Sequence, residues 1–278
     1  MQACMMKFSV CMSVYKNDNA TDVQTALDSV LQQSVAPSEV IVVIDGVISE
    51  ELARLLSKYE DENKIRTILI PKNRGLGNAL NVAVSAAQYE LIARMDSDDI
   101  CLPSRFEKQL ECFAQDDSLS IVGGSISEFI DTPDNIVAKR ECPQTHSDIY
   151  RFMKVRCGFN HMTVMFKKTE VLRAGNYQDY FWNEDYYLWI RMMLCGCKFC
   201  NIKDVLVNVR VGKEMYARRG GWKYFHSEYA LQCFMFEKHI IGVIRFIMNV
   251  VIRFLVQIML PDNIRGFMFQ KMFRKSLK

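Results

Sequence analysis

Two rhythms alternate along the first hundred positions. Short apolar runs at 8–14, 40–44, 65–70 and 91–95 have the length and the β-branched content of buried strands. Between them, apolar residues recur at helical spacing. Val23, Leu27, Val30 and Leu31 share one face after a capping Asn19 or Thr21. Residues 50–59 and 76–87 repeat the pattern, the latter with small side chains that allow close packing. A βαβαβαβ order predicts a parallel sheet with right-handed crossovers. Pro71 closes the third strand, and Pro103 opens a helix to about residue 114.

Beyond that point the alternation weakens. The pattern predicts a strand over 121–130 interrupted at Gly123-Gly124, a helix over 146–155 and a short strand over 163–166. An aromatic-rich helix over 184–194 and a strand over 205–211 follow. From 239 to 261 nearly every residue is apolar. The exceptions, Gly242, Arg245, Asn249, Arg253 and Gln257, fall on one stripe of a helix. Two arginines make a transmembrane span costly. The helix is therefore expected to lie in a membrane interface with its polar stripe toward water. A core or dimerisation helix pair is the other reading of this segment. Pro261 ends the helix, and a second basic segment with Ile264, Phe267, Met268 and Phe269 follows.

Composition narrows the field. The 278 residues are 50% hydrophobic, enough for one large domain with an appendage. The N-terminus lacks a basic stretch leading into a secretory apolar run, and the 10 cysteines are scattered, which fits a reducing compartment. Cys195, Cys197 and Cys200 have no second ligand cluster to make a zinc knuckle. The net charge of +3 is uneven. Residues 239–278 hold seven Lys/Arg and one Asp, against 28 Lys/Arg and 31 Asp/Glu elsewhere. A mildly acidic body argues against nucleic acid as partner, and the basic tail points to an anionic surface.

Each of the first four expected strands runs into a polar loop. Tyr15-Lys16-Asn17-Asp18 offers a ring to stack on a base and a carboxylate to accept from it. Asp45-Gly46 offers an acceptor for the imide N–H of uracil and a tight turn. Asn73-Arg74-Gly75-Leu76-Gly77-Asn78 offers Arg74 to a phosphate or a base carbonyl. Arg94-Met95-Asp96-Ser97-Asp98-Asp99 places three carboxylates within four positions. Such carboxylates need a compensating partner, and Mg²⁺ or Mn²⁺ is the usual one. A lone Asp-x-Asp also suits a helix N-terminus, but polar loops after all four strands fit a ligand beyond the strand ends. The glycines form neither a Rossmann fingerprint nor a P-loop. A second acidic pair, Glu184-Asp185, follows Trp182-Asn183 and precedes Tyr186, Tyr187 and Trp189. One carboxylate can serve as general base toward a sugar hydroxyl with the aromatics as platform, or the pair can simply cap its helix.

Taken in order, Ser13–Asp18, Asp45-Gly46, Asn73–Asn81, Arg94–Asp99 and Asn183–Trp189 resemble glycosyltransferase family 2 enzymes of the GT-A fold, over roughly residues 8–220. The subgroup resembled assembles bacterial O-antigen and capsule repeat units. The resemblance implies an α/β fold with a mostly parallel nucleotide-binding sheet and C-terminal amphipathic, membrane-associating helices. It implies inverting transfer from a nucleotide-sugar, with UDP-galactose or UDP-glucose favoured, to an undecaprenyl-diphosphate-linked saccharide. Tyr15 and Asp45 would contact the uracil, and Asp18 and Arg74 the nucleotide. Asp96 would lie near the ribose and metal, and Asp98 would hold Mn²⁺ or Mg²⁺ on the diphosphate. Asp185 would be the base, with Glu184 supporting it. Arg218 and Arg219 would close over the diphosphate. Asp99 is left between ligand and support. Residues 1–220 would form the transferase domain, with a nucleotide half to about 115 and an acceptor half over 116–220, and 221–278 a helical extension. The enzyme would be cytoplasmic, peripheral on the inner membrane's cytoplasmic face. The chain lacks the Gln-x-x-Arg-Trp motif of processive synthases, which implies addition of one sugar. A sugar-phosphate nucleotidyltransferase and a non-catalytic membrane-peripheral scaffold are the competing readings.

Overall fold

The computed structural model describes residues 6–212, 220–261 and 275–276. Arg218, Arg219 and the basic segment 262–274 lie outside the described residues. Strands β1 (Phe8–Tyr15), β2 (Glu39–Asp45), β3 (Arg66–Ile70) and β4 (Leu91–Arg94) alternate with helices α1 (Ala20–Leu31), α2 (Glu50–Asp61) and α3 (Leu76–Ala86). The helices begin where the capping residues are: Asn19 accepts from the Thr21 and Asp22 N–H groups, and Ser49 from that of Leu52. All four strands are parallel, in the order β3-β2-β1-β4. The winding reverses between β1 and β4, which is where open α/β sheets bind ligands.

The rest of the chain extends the sheet. After β5 (Ile100–Cys101) come α4 (Arg105–Gln115), β6 (Leu119–Phe129), β7 (Ile136–Arg140), α5 (His146–Met153), β8 (Met165–Lys167), α6 (Lys168–Arg173), α7 (Glu184–Leu194) and β9 (Lys198–Arg210). Helices α8 (Trp222–Glu237) and α9 (Val243–Phe254) follow, α9 continuing as a π-helical turn at Leu255–Met259, and β10 (Lys275–Ser276) pairs with β7. Strand β8 joins β4 antiparallel, β6 joins β8 and β7 joins β6 in the same sense, while β9 runs parallel to β6. The result is a mixed sheet flanked by helices. Apolar layers fill both faces, and Leu231 and Met235 of α8 belong to the layer centred on Trp189.

Four expectations need correction. First, β6 runs unbroken through Gly123 and Gly124. Their hydrogens make room: a Cβ on Gly123 would lie 2.8 Å from Phe159, and one on Gly124 2.6 Å from Leu206 of β9. Second, β9 starts at Lys198 rather than 205. Its early polar residues hid it, yet Asn201 is buried and donates to the Pro143 and Gly158 carbonyls at 2.7 and 3.0 Å. Third, the 239–261 helix begins only at Val243, after a turn in which His239 takes φ 58°.

Fourth, its stripe is inverted for three of its five members. Asn249 and Gln257 are buried, and Arg253 pairs with Glu228 at 2.6 Å, while apolar residues face outward. Gly242 and Arg245 remain exposed. Among the described residues no helix is long and apolar enough to cross a membrane.

Candidate active site

The loops after β1 and β4 are tied together across the sheet's reversal point. Tyr15 ends β1 exposed, and its N–H donates to Asp18 Oδ2 at 2.9 Å. Asp18 also bonds the Ser97 hydroxyl, and burial pushes its carboxyl up to about 6. At the end of β2, the buried Asp45 carboxylate accepts the Arg74 and Gly75 N–H groups, each at 2.8 Å. Asp45 thus shapes the loop that opens α3, and each oxygen keeps one lone pair. Gly46 makes this possible: its φ is 88°, and a Cβ there would meet the Asn73 nitrogen at 2.8 Å. Arg74 stands exposed at that loop.

The acidic run is followed by β5, so no helix starts there for it to cap. Asp96 faces both terminal nitrogens of Arg94, whose side chain is 3% exposed. Burial, then Asp96, pushes the Asp98 carboxyl up to about 6. Asp99 is buried; its Oδ1 accepts the Arg210 N–H at 3.0 Å, and its Oδ2 has no protein partner. Burial, then Asp96 and Asp98, raises Asp99 well above the ordinary range. The Arg210 guanidinium reaches the Asp98 carbonyl, pairs with Asp22 at 2.9 Å and covers the Phe129 ring. Nothing in the sequence marked Arg210, an ordinary cation at a strand end.

This set is rich in hard oxygen donors and short of positive charge, and one buried carboxylate oxygen is unpartnered. Those properties fit a divalent cation. Among the described residues, no three His, Cys, Asp or Glu stand close enough to cage an ion by themselves. Mg²⁺-like sites commonly use one or two carboxylates and complete the shell with substrate phosphates.

The second acidic pair opens α7 nearby. Asp185 Oδ1 accepts the Tyr186 N–H at 2.6 Å, and the Cys157 thiol lies 3.7 Å from Oδ2. Burial raises the Asp185 carboxyl, and burial followed by Asp185 pushes Glu184 up to about 7. Gly77 lets α3 approach: a Cβ on it would meet the Gln178 carbonyl oxygen at 2.6 Å and the Glu184 Cβ at 3.3 Å. The Arg94 charge favours the ionised forms of Glu184, Asp185, Asp98 and Asp99 alike, so one buried cation serves both acidic groups.

The expected four-aromatic platform shrinks to one. Tyr186 and Trp189 are buried in the core, and Tyr187 packs against Phe234. Trp182 alone faces out, 46% exposed, stacked on Phe181 at 4.8 Å. Its φ of 55° is strained for a bulky residue, and such strain gathers at functional sites. Ser227 of α8 pins this loop, donating to the Phe181 carbonyl at 2.6 Å and accepting from Asn183 at 3.1 Å.

The chain is similar over most of its length to known proteins. A UDP-Gal:alpha-D-GlcNAc-diphosphoundecaprenol beta-1,3-galactosyltransferase from Escherichia coli is 36% identical over 98% of this chain and 98% of its own. The amylovoran biosynthesis glycosyltransferase AmsE of Erwinia amylovora is 35% identical over 95% of this chain and 98% of its own. In fold, the chain is similar to the S. aureus TarS 1–349 structure in complex with UDP-GlcNAc, with TM-score 0.67 and 15% identity over 90% of this chain and 73% of that one. The family profile described as Glycosyl transferase family 2 matches residues 9–181, and the chain belongs to that family of glycosyltransferase enzymes.

Proposed function

We propose that this glycosyltransferase moves one hexose, from UDP-galactose or UDP-glucose, with inversion, to a sugar carried on undecaprenyl diphosphate in O-antigen or capsule assembly. The observation that carries this reading is the meeting of two acidic groups around Arg94: Asp96, Asp98 and Asp99 after β4, and Glu184 and Asp185 at the start of α7. The E. coli relative's name supports the donor and acceptor class. Such an acceptor places the enzyme peripherally on the cytoplasmic face of the inner membrane.

Direct displacement at an anomeric carbon builds positive charge on the sugar and negative charge on the departing diphosphate. Asp98, with Asp96 beside it, would hold Mn²⁺ or Mg²⁺, which when bound neutralises charge on the diphosphate. Tyr15 stacks on the uracil, and Asp45, while holding the Arg74 loop, accepts from it; Asp18 and Arg74 reach toward the nucleotide. Arg218 and Arg219 are assigned to the diphosphate. On the opposite face of the sugar, Asp185 takes the proton of the acceptor hydroxyl as that oxygen bonds to the anomeric carbon. Its raised proton affinity makes it a stronger base near neutral pH. Glu184 supports Asp185, and Trp182 packs against the acceptor sugar. One base and one stabilised leaving group suffice, so no glycosyl-enzyme forms, and no second carboxyl is required as acid.

A panel of UDP-sugars, with a short lipid-diphosphate N-acetylglucosamine acceptor, with and without Mn²⁺, tests this reading. Mass spectrometry should find one added hexose only when the metal is present, and NMR should find the anomeric configuration inverted. Transfer undiminished in a chelator, or a retained configuration, overturns it.

A further inference from the structure

Helix α9 turns its apolar side away from the protein. Ile244, Ile247, Met248, Val251, Ile252 and Met259 lie on one face, each between 47% and 74% exposed. Their spacing of three and four along the helix makes the face continuous, and it carries no charge. The orientation is fixed from the other side. Asn249 donates to the Lys154 carbonyl at 2.9 Å and to Gln232 at 2.8 Å, and Arg253 donates to Glu228 at 2.6 Å and to the Val155 carbonyl at 2.9 Å. Rolling the helix to hide its apolar face would break all four bonds and leave buried polar groups unpaired. Two of these bonds join α9 to the chain leaving α5, where Phe152 and Val155 are also exposed. A soluble monomer rarely leaves so large an apolar surface uncovered.

Charge chooses its partner. Arg245 is exposed on α9 itself, the Lys154 backbone meets α9 at Asn249, and in sequence the chain after Pro261 holds five Lys/Arg against one Asp. Two copies meeting through this face would bring like charges together. An anionic lipid surface accepts both the apolar side chains and the cations.

We infer that the outward face of α9, continued by the end of α5, is a docking surface for an anionic bilayer. The helix lies along the membrane with Asn249, Arg253 and Gln257 turned into the protein rather than toward water. This deepens the proposed lipid-linked acceptor and rests on that reading only for its purpose: the membrane holding the acceptor meets the same half of the protein whose α8 pins the Trp182 loop.

Flotation of the full chain with phosphatidylglycerol–phosphatidylethanolamine vesicles tests the surface without using catalysis. Wild type should bind these vesicles at least tenfold better than phosphatidylcholine ones. The double variant Ile247→Glu, Val251→Glu changes only exposed positions. It should lose vesicle binding at least tenfold while keeping its melting temperature and its transfer to a water-soluble acceptor. Wild type that does not float, or a double variant that floats unchanged, overturns the inference. So does a wild-type dimer that the double substitution dissociates without any vesicle binding, since the occupant is then a second copy. Failure of wild type to glycosylate the soluble acceptor would instead strike the proposed function and leave the flotation result standing.

Discussion

Three carboxylates of the cleft are held in three ways, and their partners separate their tasks. Asp45 gives both oxygens to backbone N–H groups of the next loop. Asp96 faces the Arg94 fork. Asp185 accepts one backbone N–H and a long thiol contact, which leaves lone pairs for an incoming hydroxyl. Asp185→Asn should therefore keep UDP-sugar binding and lose turnover by about 10²–10⁴-fold; near-normal UDP release by that variant would place the base elsewhere. Glu184 has a signature in stability. Its carboxyl is raised from 4.5 to about 7, so the folded protein binds that proton more tightly than the unfolded chain. Its contribution is fully present below about pH 4.5 and is lost as pH rises through about 7. Glu184→Gln should then gain stability over wild type between pH 5 and 8, on the order of 2 kcal/mol after allowance for solvent screening. Parallel stability–pH curves for the two proteins would contradict this.

Among the elements, the parallel half was legible throughout and the antiparallel half only in part, for a physical reason: β6 and α7 were placed by their pattern, while β5, β7 and the start of β9 were not. From β1 to α3 each element carries its own signal: an apolar run, a capping Asn19 or Ser49, a closing Pro71. Strand β9 carries none at its start, because the Asn201 amide nitrogen finds its acceptors in the carbonyls of Pro143 and Gly158, far away in sequence. Strand β5 has two residues and exists only through its pairing with β9. Helix α9 inverted for the same reason: periodicity located the polar stripe, but its partners Gln232, Glu228 and the Lys154 carbonyl sit on other elements. At the site, the carboxylates themselves could be named in advance, while the part played by Arg94, quoted only as the first residue of the acidic motif, and by Arg210 could not be. The glycine pair in β6 shows the same contrast and can be tested. Gly124→Ala would press a methyl against Leu206, and should cost about 1–3 kcal/mol in urea unfolding. An unchanged unfolding midpoint would mean that β9 yields freely at this contact.

Across the whole molecule, Arg94 stands where the two halves join. It ends β4, the last strand of the parallel run β3-β2-β1-β4, and its N–H donates to the Val164 carbonyl just before β8, the first antiparallel neighbour. Its guanidinium pairs with Asp96 and favours the ionised forms of carboxyls on both sides of the cleft. Removing one partner of a buried pair typically costs about 3–5 kcal/mol, because the other charge is left uncompensated. Arg94→Met should show a loss of that order in urea unfolding at pH 8. The loss should shrink at pH 5.5, because without the cation the carboxyls take up protons more readily and the acidic cluster discharges itself. Asp96→Asn should return part of the stability when added to Arg94→Met, since it removes a charge that has lost its partner. A double-mutant cycle reads that coupling directly, and more than about 0.5 kcal/mol separates it from simple additivity. If the two substitutions add without coupling and the loss is the same at both pH values, Arg94 acts through packing alone, and the donor and acceptor sides of the cleft do not share its charge.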